Sequence, residues 1–414
     1  MLAASALRRL IKKGHLTIIG VDGRSHEIKG PEPGARAVIR LLDRSLHRRL
    51  LFYPQLALGE AYTDGTLVIE EGTLYDLLEI GIANLRRIDG SLLQRAAGLW
   101  RGIQAAARAY NPVHLAQPKV AHHYDLRGEL FDLFLDSDRQ YSCAYFANPN
   151  EDLETAQRRK KLHIAAKLLL EPGQRVLDIG SGWGGLGLFL ARVADVEVDG
   201  VTLSREQLKV SNERAWKRRL SERVRFHLKD YRKVSDRYDR IVSVGMLEHV
   251  GPRHYVEYYR QIARLLTDEG VALIHSIGKF HAPGPQNPWI DRYIFPGAYT
   301  PTLSEQLPHI ERAGLYITDV EILRSHYAAT LRRWREAYVH NLDTVRNMYD
   351  ERFCRMWDFY LIACELAFRH GLLMVFQIQL SKSLDTVPQT RDYIAAFEQA
   401  HAEETSMPRQ MREL

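Results

Sequence analysis

An apolar, strand-like run, SVGMLEHVG (residues 243–251), delivers a carboxylate, Glu248, and an imidazole, His249, at its carboxyl end. A second run, VALIHSIG (271–278), carries His275. A third, QRVLDIGSGWGG (174–185), runs into glycines at 180, 182, 184 and 185, with Asp178 two residues ahead of the first. A carboxylate and an imidazole at the ends of buried strands are groups for proton transfer. A glycine-rich turn that opens a helix lets a ligand approach the backbone and offers it unpaired amides. Asp178 stands where it can receive a ligand's ammonium. Plainer readings stand beside these. Glu248 starts the next helix, or Glu248 and His275 form an ion pair without a role, and the lone His249 is structural.

The elements that must position these groups follow from periodicity. From residue 172 strand-like and helical patterns alternate: QRVLDIG, then LGLFLARVAD; VEVDGVTLS, then REQLKVSNERAWKRRL; then VRFHLKD, DRIVSVGML and VALIHSIG, with HYVEYYRQIARLL between the last two. Such alternation predicts a parallel sheet covered on both faces, with its chemistry at the carboxyl ends of the strands. From 279 to 340 the pattern breaks into the aromatic, proline-rich FHAPGPQNPWIDRYIFPGAYTP, an insertion of the kind that forms substrate pockets. Before residue 110, HLTIIGVDG and DGTLVIEEG read as strands and TLYDLLEIGIANLRRI as a helix, while PVHLAQPKVAHHYDL reads as a linker. The expected organisation is a small, basic α+β domain over 1–112 and an α/β catalytic domain over 113–414.

Composition narrows the class. Of 414 residues 45% are hydrophobic and 26% charged, as in a soluble globular chain. Cys143, Cys354 and Cys364 are too few for a disulfide framework and point to a reducing, cytoplasmic setting. No secretory leader is evident, no cysteine or histidine cluster has metal-ligand spacing, and LIACELAFRHGLLMVFQIQL (361–380) reads as a core helix rather than a membrane span. The net charge of +6 is concentrated in the first fifty residues, with 11 Lys/Arg against 4 Asp/Glu. Arg36, Arg40, Arg44 and Arg48 fall at every fourth position of an expected helix, a stripe suited to anionic lipid or simply to water. Nothing marks a nucleic-acid motif. The RRKK run at 158–161 reads as a solvated helix face that also suits lipid headgroups.

The spacing D-I-G-x-G-x-G resembles the S-adenosylmethionine loop of Rossmann-like methyltransferases more than a dinucleotide site. The second strand ends in VTLSREQ, with Thr202, Ser204 and Gln207 where such enzymes usually carry an acid. Together with HYDL (123–126), LFLDSDRQYSCAYF (133–146), GVTLSREQ (200–207), DYR (230–232), VGMLEHVG, HSIG (275–278), YIFPG (293–297) and HYAATLRRW (326–334), the chain resembles the cyclopropane-fatty-acid synthase family, which includes the mycolic acid methyltransferases. The segment around LGEAYTDG is similar to the extra N-terminal domain of the bacterial cyclopropane synthases.

That resemblance implies a Rossmann-like S-adenosylmethionine-dependent methyltransferase that adds a methyl to a cis double bond of an unsaturated phospholipid acyl chain and closes a cyclopropane, with bicarbonate as base. It places Tyr141 and Ser142 at the cofactor's methionine end. Asp178, Gly180, Ser181, Gly182, Trp183 and Gly184 form the loop, Thr202, Leu203, Ser204 and Gln207 reach the ribose side, and Tyr231 and Arg232 flank the adenine. Bicarbonate would be held by the side chains of Glu248, His275 and Tyr327 and by backbone groups of Cys143 and Ile277. Tyr145, Phe146 and Tyr327 would steady a carbocation. Ser181, Leu247 and GAYTPT (297–302) depart from the family pattern and bear on the acyl chain accepted. Alternatives are a methyl-branched or methylated alkene product, or N-methylation of a small amine. The implied setting is a homodimer working at the inner face of the membrane, docked by its basic N-terminal domain.

Overall fold

The computed structural model describes residues 7–85, residue 9 apart, and 128–406. The expected linker, HYDL and the 112/113 boundary lie outside the described residues. The chain forms two compact units. One takes residues up to 85 with Gly284–Pro296 and Leu331–Leu373; the other takes residues 128 to Pro283, Gly297–Thr330 and the chain from Met374. Part of the aromatic insertion and much of the following helical region thus belong with the N-terminal strands.

The first unit holds a four-stranded sheet in the order β2-β1-β3-β4, from β1 (Lys13–Ile19), β2 (Ser25–Lys29), β3 (Glu32–Leu41) and β4 (Leu67–Glu71). β1 alternates strictly, Leu16 and Ile18 facing inward, and Ile39, Leu41, Ala61, Leu77 and Ile80 complete the core. Asn84 Oδ1 accepts the amides of Lys12 and Lys13, fixing the start of β1 to helix Leu74–Leu85. The expected arginine helix is a correction. Arg36 and Arg40 lie on β3 and pair with Glu71 and Glu70 of β4, Arg44 follows the strand, and Arg48 lies on helix Leu46–Phe52. Ala37, Ile39 and Leu41 alternate with these arginines, and the two-residue period overrides the four-residue one. The run 361–380 is likewise not one helix. Helix Glu351–Arg369 stops before Gly371, whose φ of 66° is left-handed, and strand β11 (Leu373–Ser381) follows.

The second unit is a seven-stranded sheet, order β10-β11-β9-β8-β5-β6-β7. Its other strands are β5 (Arg175–Ile179), β6 (Glu197–Thr202), β7 (Val224–Leu228), β8 (Tyr238–Val244), β9 (Leu266–Lys279) and β10 (Tyr316–Ile322). Neighbours from β7 to β9 are parallel, and β10 and β11 are antiparallel to each other. Ala272 and Ile274 join one core with Tyr255, Tyr258 and Ile262. Leu273 joins the other with Leu162, Leu188 and Phe189. Burial on both faces is why these strands read as unbroken apolar runs. Strand order reverses at β5, between β6 and β8, which opens a crevice at the carboxyl ends. Among the described residues no helix is long and apolar enough to cross a membrane.

Candidate active site

Loops after β5, β6, β7 and β8 line one cavity, bounded by Gly180, Gly182, Thr202, Leu203, Gln207, Tyr231 and Arg232. Gly180, Gly182 and Gly184 have φ of 83°, 53° and 82°, a backbone that side chains disfavour. A Cβ at Gly184 would stand 2.8 Å from Phe226, so the turn cannot take a larger residue without moving the ring. The amides of Gly180 and Ser181 both donate to Val201 O at 3.0 Å, tying this loop to the end of β6. Asp178 is buried, and its Oδ2 has no partner. Burial pushes its carboxyl up to about 7, against the pull of the Lys160 charge. The bare backbone and Tyr231 fit the adenosine of S-adenosylmethionine; Asp178 is not in the cavity lining but directly precedes the lining Ile179, and its Oδ2 suits an ammonium.

Several expected contacts take another form. Ser204 Oγ accepts Gln207 N–H and caps helix Arg205–Lys217, and Ser204 does not line the cavity. Trp183 packs its indole against Phe131 and beneath Arg139, so only its backbone belongs to the loop. Arg232 is held by Asp230 through Nε and Nη2 at 2.9 and 2.7 Å. Asp230 and His254 also line the cavity, and so does His249, which the sequence alone reads as structural. His249 follows Glu248 directly, but sequence could not say that the short turn after β8 aims it at the cavity of Gly180 and Tyr231. Burial holds it neutral, its imidazole down to about 4.

Glu248 lies four residues past the end of β8 in a short 3-10 turn, Leu247–His249. Its Oε1 accepts Ile277 N–H at 2.7 Å, and its backbone carbonyl accepts Tyr299 N–H at 2.8 Å. Among the described residues Oε2 has no hydrogen-bond partner, and burial pushes the carboxyl up to about 7. His275 pairs with Val244 in the β8–β9 ladder. Burial, then the Lys160 charge, lowers its imidazole to about 3, so it is neutral. The amide nitrogen of buried Gln377 stands 3.2 Å from His275 Nδ1. Donation to Nδ1 leaves the ring proton on Nε2. Gln377 was missed because it reaches His275 from β11, 102 residues away.

The segment Tyr141–Ser142–Cys143 is braced from helix Leu153–Leu168. Gln157 Nε2 donates to the carbonyls of Gln140 and Ser142 at 3.2 and 2.9 Å, and Ala144 N–H donates to Thr330 Oγ1 at 3.0 Å. Burial raises the Cys143 thiol well above its ordinary range, which keeps it protonated. Tyr145 is sandwiched between His163 and His326, at 4.4 and 4.7 Å, so neither of its faces is open to a carbocation. The RRKK run is also a correction: Arg158, Lys160 and Lys161 are buried, because this helix lies against the sheet and the Asp136–Ser142 segment.

A parallel sheet with a glycine-loop cavity at its switch point defines a Rossmann-like S-adenosylmethionine-dependent methyltransferase. The chain belongs to the mycolic acid cyclopropane synthetase family, whose profile matches residues 114–378. It is 37% identical over 355 residues to the cyclopropane-fatty-acyl-phospholipid synthase of Escherichia coli K12, covering 85% of this chain and 89% of that protein. It is 33% identical over 392 residues to a tuberculostearic acid methyltransferase of Mycobacterium tuberculosis, covering 91% and 90%. Among solved structures, mycolic acid cyclopropane synthase CmaA1 with SAH and CTAB superposes with a TM-score of 0.61 at 32% identity, over 66% of this chain and 99% of that one. Coclaurine N-methyltransferase shares the fold at 21% identity with a TM-score of 0.65.

Proposed function

We propose that this enzyme methylates a cis double bond in the acyl chain of an unsaturated phospholipid and closes it to a cyclopropane, with bicarbonate held by Glu248, His275 and Tyr327 beside Cys143 and Ile277. One observation carries this reading: a buried carboxylate with one oxygen fixed by Ile277 N–H and the other unfilled, beside a neutral histidine. When bound, S-adenosylmethionine supplies the methyl, and bicarbonate supplies the base that accepts a proton from it. Glu248 Oε2 would accept the hydroxyl of that ion, and His275 Nε2–H and Tyr327 OH would donate to its oxygens. The Ile277 amide is already engaged by Glu248 and its carbonyl accepts Ser276 Oγ at 3.0 Å, so Ile277 acts on the ligand by orienting Glu248. Low water access around these buried groups would keep water from capturing the carbocation before its proton is removed.

The lipid surface fits a patch in the first unit. Leu42, Phe52 and Tyr53 are exposed by 53%, 68% and 69%, and Arg44 and Arg48 are exposed with no ion-pair partner among the described residues. Aromatic rings and unpaired arginines together suit an anionic bilayer face.

The test is expression in bacteria that lack cyclopropane lipids, followed by mass spectrometry of their fatty acids. A product one CH₂ heavier that resists mild hydrogenation supports the ring; the same mass with a reducible double bond overturns ring closure. That second outcome would fit a methylated alkene, a reading favoured by the near full-length likeness to the tuberculostearic acid methyltransferase. In bicarbonate-depleted buffer the purified enzyme should lose activity and regain it when bicarbonate is restored.

A further inference from the structure

Lys160 is 1% exposed, and its ammonium donates to Gln140 Oε1 at 2.5 Å and Ser142 Oγ at 2.8 Å. Its helix neighbours Lys161 and Lys167, equally buried, each close an ion pair with a carboxylate, to Asp138 and to Asp319 and Glu321. Lys160 closes none among the described residues, and both its hydrogen-bond partners are neutral, although the Asp136 and Asp138 charges reach it. A buried ammonium whose hydrogen bonds go only to neutral groups is poorly compensated, and an anion that reaches it would complete it. Its position is informative. Ser142 belongs to the braced Tyr141–Cys143 segment, and the Lys160 charge is felt at Asp178 and at His275. Among the described residues Asp178 Oδ2 has no hydrogen-bond partner, and Lys160 donates to two neutral oxygens. One buried anion and one buried cation complement an α-amino acid zwitterion.

We propose that Lys160, with Ser142, is the counter-cation of a bound carboxylate-type anion: the α-carboxylate of the cofactor's methionine end, whose ammonium meets Asp178. Bicarbonate carries the same chemistry and is the second source. The bicarbonate arm rests on the proposed function, whereas the cofactor arm does not depend on what lipid is methylated.

The experiment is calorimetric binding of two cofactor-product analogues to the full-length protein: S-adenosylhomocysteine and its decarboxylated counterpart, which differ only in the carboxylate. Wild type should prefer the first by roughly 10- to 100-fold, the worth of a hydrogen bond to a charged group. Lys160→Met should abolish that preference by weakening S-adenosylhomocysteine alone, and Lys160→Arg should restore part of it. If the preference survives in Lys160→Met while the bicarbonate needed for half-maximal turnover rises 10-fold or more, Lys160 pairs with bicarbonate. Equal weakening of both analogues, with an unchanged bicarbonate requirement, would make Lys160 a brace for Ser142 and overturn the proposal. Methionine keeps the stem and removes a desolvated charge, so the variant should fold. If it does not, an absence of preference in wild type itself removes the cofactor arm, and a bicarbonate requirement unchanged in Lys160→Arg removes the other.

Discussion

Two buried glutamates, one in each unit, have opposite fates. Glu365 is 2% exposed on helix Glu351–Arg369, and it receives Arg332 at 3.1 Å, Arg369 at 2.8 Å and Tyr75 OH at 3.3 Å. Glu248 is 8% exposed and meets no cation among the described residues; its Oε1 receives a backbone amide and its Oε2 has no hydrogen-bond partner there. A carboxylate saturated by cations is a structural joint. A carboxylate left short of donors is a candidate functional group.

Substitutions sharpen that contrast. Glu248→Gln should lower turnover by about 10²- to 10⁴-fold, the scale of a lost acid–base group, with cofactor binding retained. Its stability should move the other way. The folded carboxyl titrates near 7, above its ordinary 4.5, so the native state favours the protonated form. That advantage is complete below pH 4.5 and disappears as pH rises through 7. Glu248→Gln should therefore melt higher relative to wild type at pH 8 than at pH 5, by roughly 1–3 kcal/mol in stability. A variant destabilised equally at both pH values would place Glu248 with Glu365 as a structural group.

Glu365→Ala should show the reverse pattern, losing roughly 2–3 kcal/mol in denaturant unfolding while each folded molecule keeps its turnover. Its partners remain partly exposed, so the loss is smaller than for a fully buried pair. A smaller effect is expected at the docking patch. Arg44→Gln or Arg48→Gln should each weaken sedimentation with anionic vesicles about 5-fold at low salt, and hardly at all in high salt. Arg36→Gln, whose partner Glu71 already neutralises it, should change vesicle binding less. Equal effects at all three arginines would restore the continuous stripe.

The same contrast marks what was legible. The glycine loop, Asp178 and the β–α alternation could be read because left-handed turns and two- or 3.6-residue periods are written within a few residues. Glu248 and His275 could be read as strand-end groups on the same grounds. The arginine spacing misled, because a four-residue repeat satisfies a helix and every second residue of a strand alike. The strand won, since pairing with β1 and β4 buries Ala37, Ile39 and Leu41.

The sequence by itself determined the parallel sheet, the order of its strand-end loops and the residue types those loops present, because local backbone geometry decides them. Only the tertiary structure decided which charges keep their partners. The Arg158–Lys161 run looked solvated, yet Lys160 is buried against Ser142. Tyr145 looked like an open aromatic face, yet it is closed by His163 and by His326, 181 positions further along the chain. Burial and pairing depend on groups that meet only after the chain has folded, and those set the charge states of Glu248, Asp178 and Lys160.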